Sequence, residues 1–375
     1  MTKTVLVAVD SGQFDLQEHV DELKLLAISA GADVVAVVIA KRKAPDPATY
    51  IGSGKVAEIS ELSTELEAEL VVFNHGLSPA QQRNLEAALE MRVIDRTGLI
   101  LDIFAIRAQS FEGKLQVELA QLQYLSSRLV RRYTHLAGQQ GGIGMRGPGE
   151  TQLETDRRLI GDKVKKLKQR LSTLEKQRET QRRQRQRRGQ FTVAIVGYTN
   201  AGKSTLFNGV ASSKAYAADQ LFATLDTTSR KVYLAPGIDF ILSDTVGFIR
   251  DLSHSLIEAF KATLESTVQA DLLLHVVDAS SPARHAQIAE VNRVLAEIHA
   301  GDVPQVIVWN KIDACEREPQ VERNPDGKIS AVAVSARFGL GMPELRQSLL
   351  ELATDFYTAG RGLVADKNQA DSQIT

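Results

Sequence analysis

The stretch that most constrains this chain is an apolar run, Thr192-Val193-Ala194-Ile195-Val196, that enters Gly197-Tyr198-Thr199-Asn200-Ala201-Gly202-Lys203-Ser204 directly. A short β-branched run bounded by glycine reads as a buried strand, and G-x-x-x-x-G-K-[ST] after a strand reads as a phosphate cradle. The glycines let successive backbone N–H groups curl around an anion, Lys203 reaches the β/γ oxygens of a nucleotide, and the Ser204 hydroxyl ligates Mg²⁺. A helix starting near Gly202 turns its positive end to the same point. Such a unit belongs in an α/β fold that binds its ligand at the carboxyl ends of the strands.

Downstream residues select the base. Val306-Ile307-Val308-Trp309 reads as a strand and runs into Asn310-Lys311-Ile312-Asp313. A carboxylate there accepts two hydrogen bonds from guanine N1–H and the exocyclic amine, a donor pair adenine lacks, so Asp313 selects GTP. Val332-Ala333-Val334-Ser335-Ala336 reads as a further strand whose terminal Ser335-Ala336 backbone N–H meets guanine O6. Between the phosphate loop and the first of these, Phe240-Ile241-Leu242 leads into Asp244-Thr245-Val246-Gly247, where Asp244 holds Mg²⁺ through water and the Gly247 N–H faces the γ-phosphate. All of these motifs in this order read as a GTPase domain.

The segment Leu221 to Thr228 supplies the remaining Mg²⁺ ligand, and Thr224 is the expected residue ahead of Thr227 and Thr228. Phe248 follows Gly247 where Ras-like enzymes place the glutamine that orients the attacking water. A phenyl ring cannot do that, so unaided hydrolysis is expected to be slow. Asn200 suggests one source of help: its side-chain carbonyl would hold K⁺ against the phosphates, where an arginine finger would otherwise put positive charge. A purely structural asparagine is the alternative.

At 375 residues the chain should form two or three domains. Its single cysteine, Cys315, excludes an internal disulfide and a cysteine metal cage and fits a reducing compartment. No apolar run approaches the ~20 residues needed to span a bilayer. The amino terminus enters a strand without a signal peptide, so a cytoplasmic location is expected. The formal net charge of −1 hides an asymmetry: residues 157–188 hold 14 Lys/Arg against 3 Asp/Glu. Pairing at i,i+4 cannot neutralise that excess, so the segment calls for a polyanion: RNA or a ribosomal surface, with DNA and an anionic membrane as alternatives.

Leu153, Ile160, Val164, Leu167, Leu171 and Leu174 are spaced 7, 4, 3, 4 and 3, and Leu115, Leu119, Leu122, Leu125 and Leu129 are spaced 4, 3, 3 and 4. Both are helical seams. Between them residues 138–149 contain six glycines, which argues against helix, and carry Arg146. The economical arrangement is an antiparallel two-helix hairpin whose tip, longer than a passive connection requires, is a probe ordered by its target. The first ~110 residues alternate strands (5–9, 34–39, 70–74, 92–95) with helices (about 16–30, 53–69, 79–91), which reads as a small parallel α/β domain. Ile51-Gly52-Ser53-Gly54-Lys55 resembles a phosphate loop without its four-residue spacer and reads as a helix-starting loop that touches RNA, a second nucleotide site being the rarer alternative. His275, within Leu272 to Val277, belongs to a core strand.

Together the amino-terminal α/β domain, the stretch Gly141-Gly142-Ile143-Gly144-Met145-Arg146-Gly147-Pro148-Gly149-Glu150-Thr151-Gln152 with its continuation to Arg158, and Asp244-Thr245-Val246-Gly247-Phe248 resemble the HflX family of the Obg-HflX group of P-loop GTPases. The resemblance reaches to about residue 355. It implies binding to the large ribosomal subunit and ribosomal RNA, splitting or rescue of stalled ribosomes under stress, and GTP hydrolysis stimulated by that subunit. It carries the site over as Gly197, Asn200, Gly202, Lys203, Ser204, Thr205, Thr224, Asp244, Gly247, Asn310, Lys311, Asp313, Ser335 and Ala336, with Lys203, Thr224 and Gly247 catalytic; Tyr198, Thr199 and Ala201 complete the phosphate loop. Thr227 stands where many members have proline, and a polar tail ends the chain where some members carry a further domain. The expected domains are thus 1–110 (α/β), 111–189 (hairpin with basic helix), 190–357 (GTPase) and 358–375 (tail). GTP, Mg²⁺ and K⁺ are the expected ligands of a monomer with no stable DNA binding and at most peripheral membrane association. An ATP-dependent RNA helicase or remodeller using the amino-terminal domain, and a signalling GTPase bound to a membrane or a protein partner, are the competing readings.

Overall fold

The computed structural model describes residues 2–10, 12, 16–129, 148–187, 189–211, 221–250 and 254–372. Residues 1–172 with 253–259 form one compact unit, and 173–252 with 260–375 form the other.

In the first unit, apolar runs form a parallel sheet of four strands, β1 (Thr2–Asp10), β2 (Ala32–Lys41), β3 (Leu70–Phe73) and β4 (Arg92–Ile94), in the order β2-β1-β3-β4. Helices α1 (Leu16–Ser29), α2 (Ser53–Glu65) and α3 (Pro79–Leu89) connect them. Ser78 starts α3 with a capping box: its hydroxyl accepts from the Gln81 N–H while the Gln81 side chain accepts from the Ser78 N–H. Val5, Val7, Ile59, Val71, Phe73 and Leu85 fill the core. A fourth helix, α4 (Arg96–Arg107), had no counterpart in the sequence reading. Asp95 caps it through the Gly98 N–H at 2.8 Å. The same buried carboxylate accepts from the Leu77 N–H, the Tyr124 hydroxyl and Arg128 at 2.6–3.1 Å, tying α5 (Phe111–Leu129) to the sheet domain.

The basic helix is α6 (Pro148–Arg187), 40 residues long, with Leu167 buried and Lys163 paired with Glu118 of α5 at 2.7 Å. Pro148 and Gly149, expected in the tip loop, lie instead in its first turn, where proline lacks nothing the helix needs. The rest of the expected tip, residues 138–147 with Arg146, lies outside the described residues.

The second unit holds seven strands: β5 (Thr192–Gly197), β6 (Thr228–Ala235), β7 (Ile238–Asp244), β8 (Leu272–Asp278), β9 (Gln305–Asn310), β10 (Gln320–Arg323) and β11 (Ile329–Ala333). Their order is β10-β11-β9-β8-β5-β7-β6, with β6 and β10 antiparallel at the edges and all inner pairings parallel. Central β5 is flanked by β7 on one side and β8 on the other, so the chain leaves it in both directions, and its carboxyl end is the natural ligand crevice. The strand expected to end in Ser335-Ala336 stops at Ala333: the Val334 N–H still bonds Trp309, but the Ser335 N–H turns to the Leu340 carbonyl. The carboxy-terminal segment expected as a tail is helical backbone as far as Ser372, at the end of α11 (Met342–Ser372), whose one proline, Pro343, stands in the first turn. The other helices of this unit are α7 (Lys203–Ala211), α9 (Lys261–Val268) and α10 (Arg284–Glu297), while α8 (His254–Ala259) belongs to the first unit. Among the described residues no helix is long and apolar enough to cross a membrane.

Candidate functional site

The carboxyl ends of β5, β7 and β9 open into a cleft of about 660 Å³. Of the expected site residues, Thr199, Asn200, Gly202, Lys203, Ser204, Thr205, Thr224, Gly247, Asn310, Lys311, Asp313 and Ser335 line it. Gly197, Tyr198, Ala201, Asp244 and Ala336 form the layer behind. Gly197 has φ 148°, and a Cβ there would stand 2.2 Å from the Val276 carbonyl oxygen of the neighbouring strand, so glycine is required where β5 meets the turn. Tyr198 directs its ring elsewhere: its hydroxyl accepts from the Arg250 N–H at 2.9 Å. Asn200 has φ 61°, a left-handed conformation that asparagine tolerates, which gives the residue type a backbone reason of its own.

Three oxygen-bearing side chains meet beside Lys203. The Ser204 hydroxyl donates to Asp244 Oδ2 at 2.7 Å, the Thr224 hydroxyl lies 2.8 Å from it, and Thr224 also donates to the same Oδ2 at 2.9 Å. Thr228 is the first residue of β6. Asp244 Oδ1 is buried without a partner. Two hydroxyls and a carboxylate with an unused oxygen are a hard, all-oxygen donor set of the kind Mg²⁺ takes together with its waters and phosphate oxygens. Burial pushes the Asp244 carboxyl above its ordinary range against the opposing pull of the Ser204 hydrogen bond and Lys203.

Lys203 is buried and donates to the Tyr198 carbonyl at 2.7 Å. Burial lowers its ammonium to about 8, with Asp244 opposing and Lys311 adding to the fall. Two backbone hydrogen bonds stitch the glycine-rich loop to the segment after Asp244: Thr199 N–H to the Phe248 carbonyl at 2.7 Å, and Phe248 N–H to the Gly197 carbonyl at 3.1 Å. The pair is a short parallel bridge that sets Gly247 over the loop. Phe248 is 1 % exposed, its ring packed inside rather than presented to the cleft.

At the base end, Asp313 is exposed in a single 3₁₀ turn (Ile312–Ala314), and Lys311 pairs with Asp278 at 2.7 Å. Asn310 has a role the motif alone did not disclose. Its Nδ2 donates to the Ala201 carbonyl at 2.8 Å and its Oδ1 accepts from the Ala336 N–H at 3.0 Å, so one buried amide staples the phosphate loop to the base loop. Gly202 makes room for it, since a Cβ there would lie 2.2 Å from that nitrogen. The Ser335 N–H bonds the Leu340 carbonyl and the Ala336 N–H bonds Asn310 Oδ1. Phe222, Ala223, Thr245, Ala314 and Arg337 also line the cleft. Sequence reasoning gave none of them a role of its own, although each lies in or beside a motif in the chain.

In the first unit, residues 42–50 separate Ile51 to Lys55 from the end of β2, and Gly52 is the N-cap of α2 without a side-chain cap. Lys55 pairs with Glu58 at 2.8 Å.

Comparison with known proteins matches three family models: "GTP-binding GTPase N-terminal" over residues 17–105, "GTP-binding GTPase Middle Region" over 107–185, and "50S ribosome-binding GTPase" over 192–311. The chain is 53 % identical to the GTPase HflX of Escherichia coli (strain K12) over 350 residues, 93 % of this chain and 82 % of that protein. It is 47 % identical to the GTPase HflX of Caldanaerobacter subterraneus subsp. tengcongensis over 92 % of this chain and 79 % of that one. Among solved structures it shares the fold of a GTP-binding protein, SsGBP, crystallised with GDP (TM-score 0.53, 23 % identity, 95 % of this chain and 99 % of that one).

Proposed function

This chain belongs to the HflX family of GTPases, and from that premise we propose that it binds the large ribosomal subunit and splits or rescues stalled ribosomes under stress. It binds and hydrolyses GTP, and in this reading the subunit stimulates that hydrolysis. The observation that carries the proposal is the union, in one chain, of a guanine-nucleotide cleft with a 40-residue helix whose segment 157–187 holds 13 basic against 3 acidic residues. A polyanion the size of ribosomal RNA suits such a helix better than a small partner does.

In the cleft, Lys203 and the Gly247 N–H hold the γ-phosphate, and Asp313 reads guanine. Ser204 and Thr224 ligate Mg²⁺, with Asp244 acting through water; their mutual approach and the unused Asp244 Oδ1 support this seat. The bound ion would neutralise the β- and γ-oxygens as charge shifts during in-line attack. Phe248 supplies no group to orient water; Asn200 would hold K⁺, which would supply positive charge at the phosphates, and the ribosome would provide the rest of the assistance. Equal turnover in K⁺ and Na⁺ buffers removes the potassium assignment.

The deciding experiment is GTP turnover by the protein alone, with isolated large subunits and with isolated small subunits. Stimulation by the large subunit only, lost on deleting residues 138–149, is expected. Stimulation by neither subunit overturns the ribosomal function and leaves the GTPase standing. Vesicle binding without subunit binding, or ATP hydrolysis that survives Lys203→Ala, redirects it to a membrane GTPase or an ATP-driven RNA remodeller.

A further inference from the structure

Thr199 is the third residue of the glycine-rich loop. It is 6 % exposed, and its hydroxyl is buried with no hydrogen-bond partner. A buried hydroxyl left unpaired costs about 1–3 kcal/mol, more than valine of nearly the same shape would cost at that position. The loop could therefore be made more stable by losing this oxygen, and sites that hold such a cost are commonly functional.

What lies beside the Thr199 side chain suggests a partner for its hydroxyl. A Cβ built on Gly247 would lie 2.8 Å from Thr199 Cγ2, 2.9 Å from Lys203 Nζ and 3.1 Å from Thr199 Cα. Gly247 thus lies against both the Thr199 methyl and the Lys203 ammonium, and with Lys203 it receives the γ-phosphate in this reading. A γ-phosphate held by both has to enter between them, and the Thr199 side chain forms the wall it passes. The Thr199 N–H is fixed on the Phe248 carbonyl at 2.7 Å, which leaves the side-chain torsion as the freedom that turns the hydroxyl toward the newcomer. The ring of Phe248 points inward, so the residue after Gly247 offers no polar side chain to compete for that place.

We propose that Thr199 is a further catalytic residue, whose hydroxyl donates a hydrogen bond to the γ-phosphoryl group as GTP is hydrolysed. This deepens the GTPase reading and rests on it, independently of the ribosome. GDP lacks the γ-phosphoryl group, so the contact separates GTP from GDP.

The test uses Thr199→Val, which keeps the shape and removes the oxygen, and Thr199→Ser, which keeps the oxygen and removes the methyl. Single-turnover GTP hydrolysis with protein in excess, GDP affinity and thermal midpoint without added nucleotide are measured for each. Thr199→Val is expected to lower kcat/KM for GTP about tenfold or more, as for a lost hydrogen bond to a charged group. Its GDP affinity should stay unchanged and its midpoint equal or exceed that of the parent, while Thr199→Ser retains most of the activity. Wild-type turnover by Thr199→Val overturns the assignment. So does a fall in Thr199→Ser as deep as in the valine variant, or a parallel loss of GDP affinity. Failure of the parent itself to bind GDP or turn over GTP would instead strike at the GTPase reading.

Discussion

Replacing Asn310 by alanine tests whether its amide is a staple rather than a base contact. Asn310 is 3 % exposed, and truncation leaves the Ala201 carbonyl and the Ala336 N–H facing a small cavity without their partner. Each unpaired buried group costs about 1–3 kcal/mol, so a total of about 2–4 kcal/mol follows if water relieves part of it. Both ends of the nucleotide site depend on the bridge: the Ala201 carbonyl belongs to the phosphate loop and Ala336 to the base loop. The loss should therefore weaken GDP and GTP alike, by about 30-fold or more at 1.4 kcal/mol per tenfold. Titration of a fluorescent GDP and of a non-hydrolysable GTP analogue reads both affinities, and thermal unfolding reads the share taken from stability. Asn310→Asp sharpens the test, because it keeps the acceptor for Ala336 but sets a carboxylate oxygen against the Ala201 carbonyl; it should be at least as weak. An alanine variant with GDP affinity within threefold of the parent and an unchanged midpoint would refute the staple. So would a loss confined to guanine with inosine nucleotides unaffected.

Asp313→Asn should weaken GTP by about 100-fold, as for charge-assisted hydrogen bonds lost at an exposed carboxylate, while phosphate-loop geometry and thermal midpoint stay put; competition titration against guanine and xanthine nucleotides reads the change. Gly197→Ala places a Cβ 2.2 Å from the Val276 carbonyl oxygen at φ 148°, so a loss of about 3 kcal/mol or more is expected from strain plus overpacking, seen as a lower midpoint and impaired GDP binding together.

The sequence made the inner strands readable because they are continuous apolar runs. Leu272 to Val277, for example, is buried throughout, and β-branched and leucine-rich runs of that length signal a parallel strand covered on both faces. The edge strands were not readable in the same way. Strand β6 runs Thr-Ser-Arg-Lys-Val-Tyr-Leu-Ala with mostly exposed side chains, a pattern that looks like loop until β7 pairs with it. Helix α4 escaped for the opposite reason: Leu99, Ile100, Leu101, Ile103 and Phe104 are all buried, which erases the polar face that marks a surface helix. At the site, residue types tied to chemistry (Lys203, Ser204, Thr224, Asp244) were legible and now lie together. The Asn310 staple joins positions 109 residues apart from Ala201 to Asn310, and the Tyr198 hydroxyl reaches Arg250. Such contacts have no local signature, so only the tertiary arrangement discloses them.

The same strand order that builds the cleft also exposes it to acid through His275. This residue lies in β8, between β5, which carries the phosphate loop, and β9, which carries the base motif. Its side chain is buried, and burial pulls the imidazole from 6.5 down to about 4, Lys203 adding to the fall while a hydrogen bond with Gln305 opposes it. In the unfolded chain the ring takes a proton as pH drops below 6.5, whereas the folded chain resists until about 4. The unfolded state then binds more protons, so stability falls as pH falls through that window, by up to about 3 kcal/mol at 1.36 kcal/mol per unit. Asp244 works in the other direction: its carboxyl is raised in the folded state, so it contributes a gain as pH falls. A plain acid titration of the parent mixes the two. Comparing the parent with His275→Phe isolates the histidine, since Asp244 is common to both and cancels in the difference. The parent should lose midpoint steeply between pH 6.5 and 4 and the variant less, the gap closing at neutral pH to whatever the lost Gln305 contact costs. Equal slopes would show that the ring is not held neutral in the core. A steeper slope in the variant would place the acid sensitivity of the sheet elsewhere in this unit.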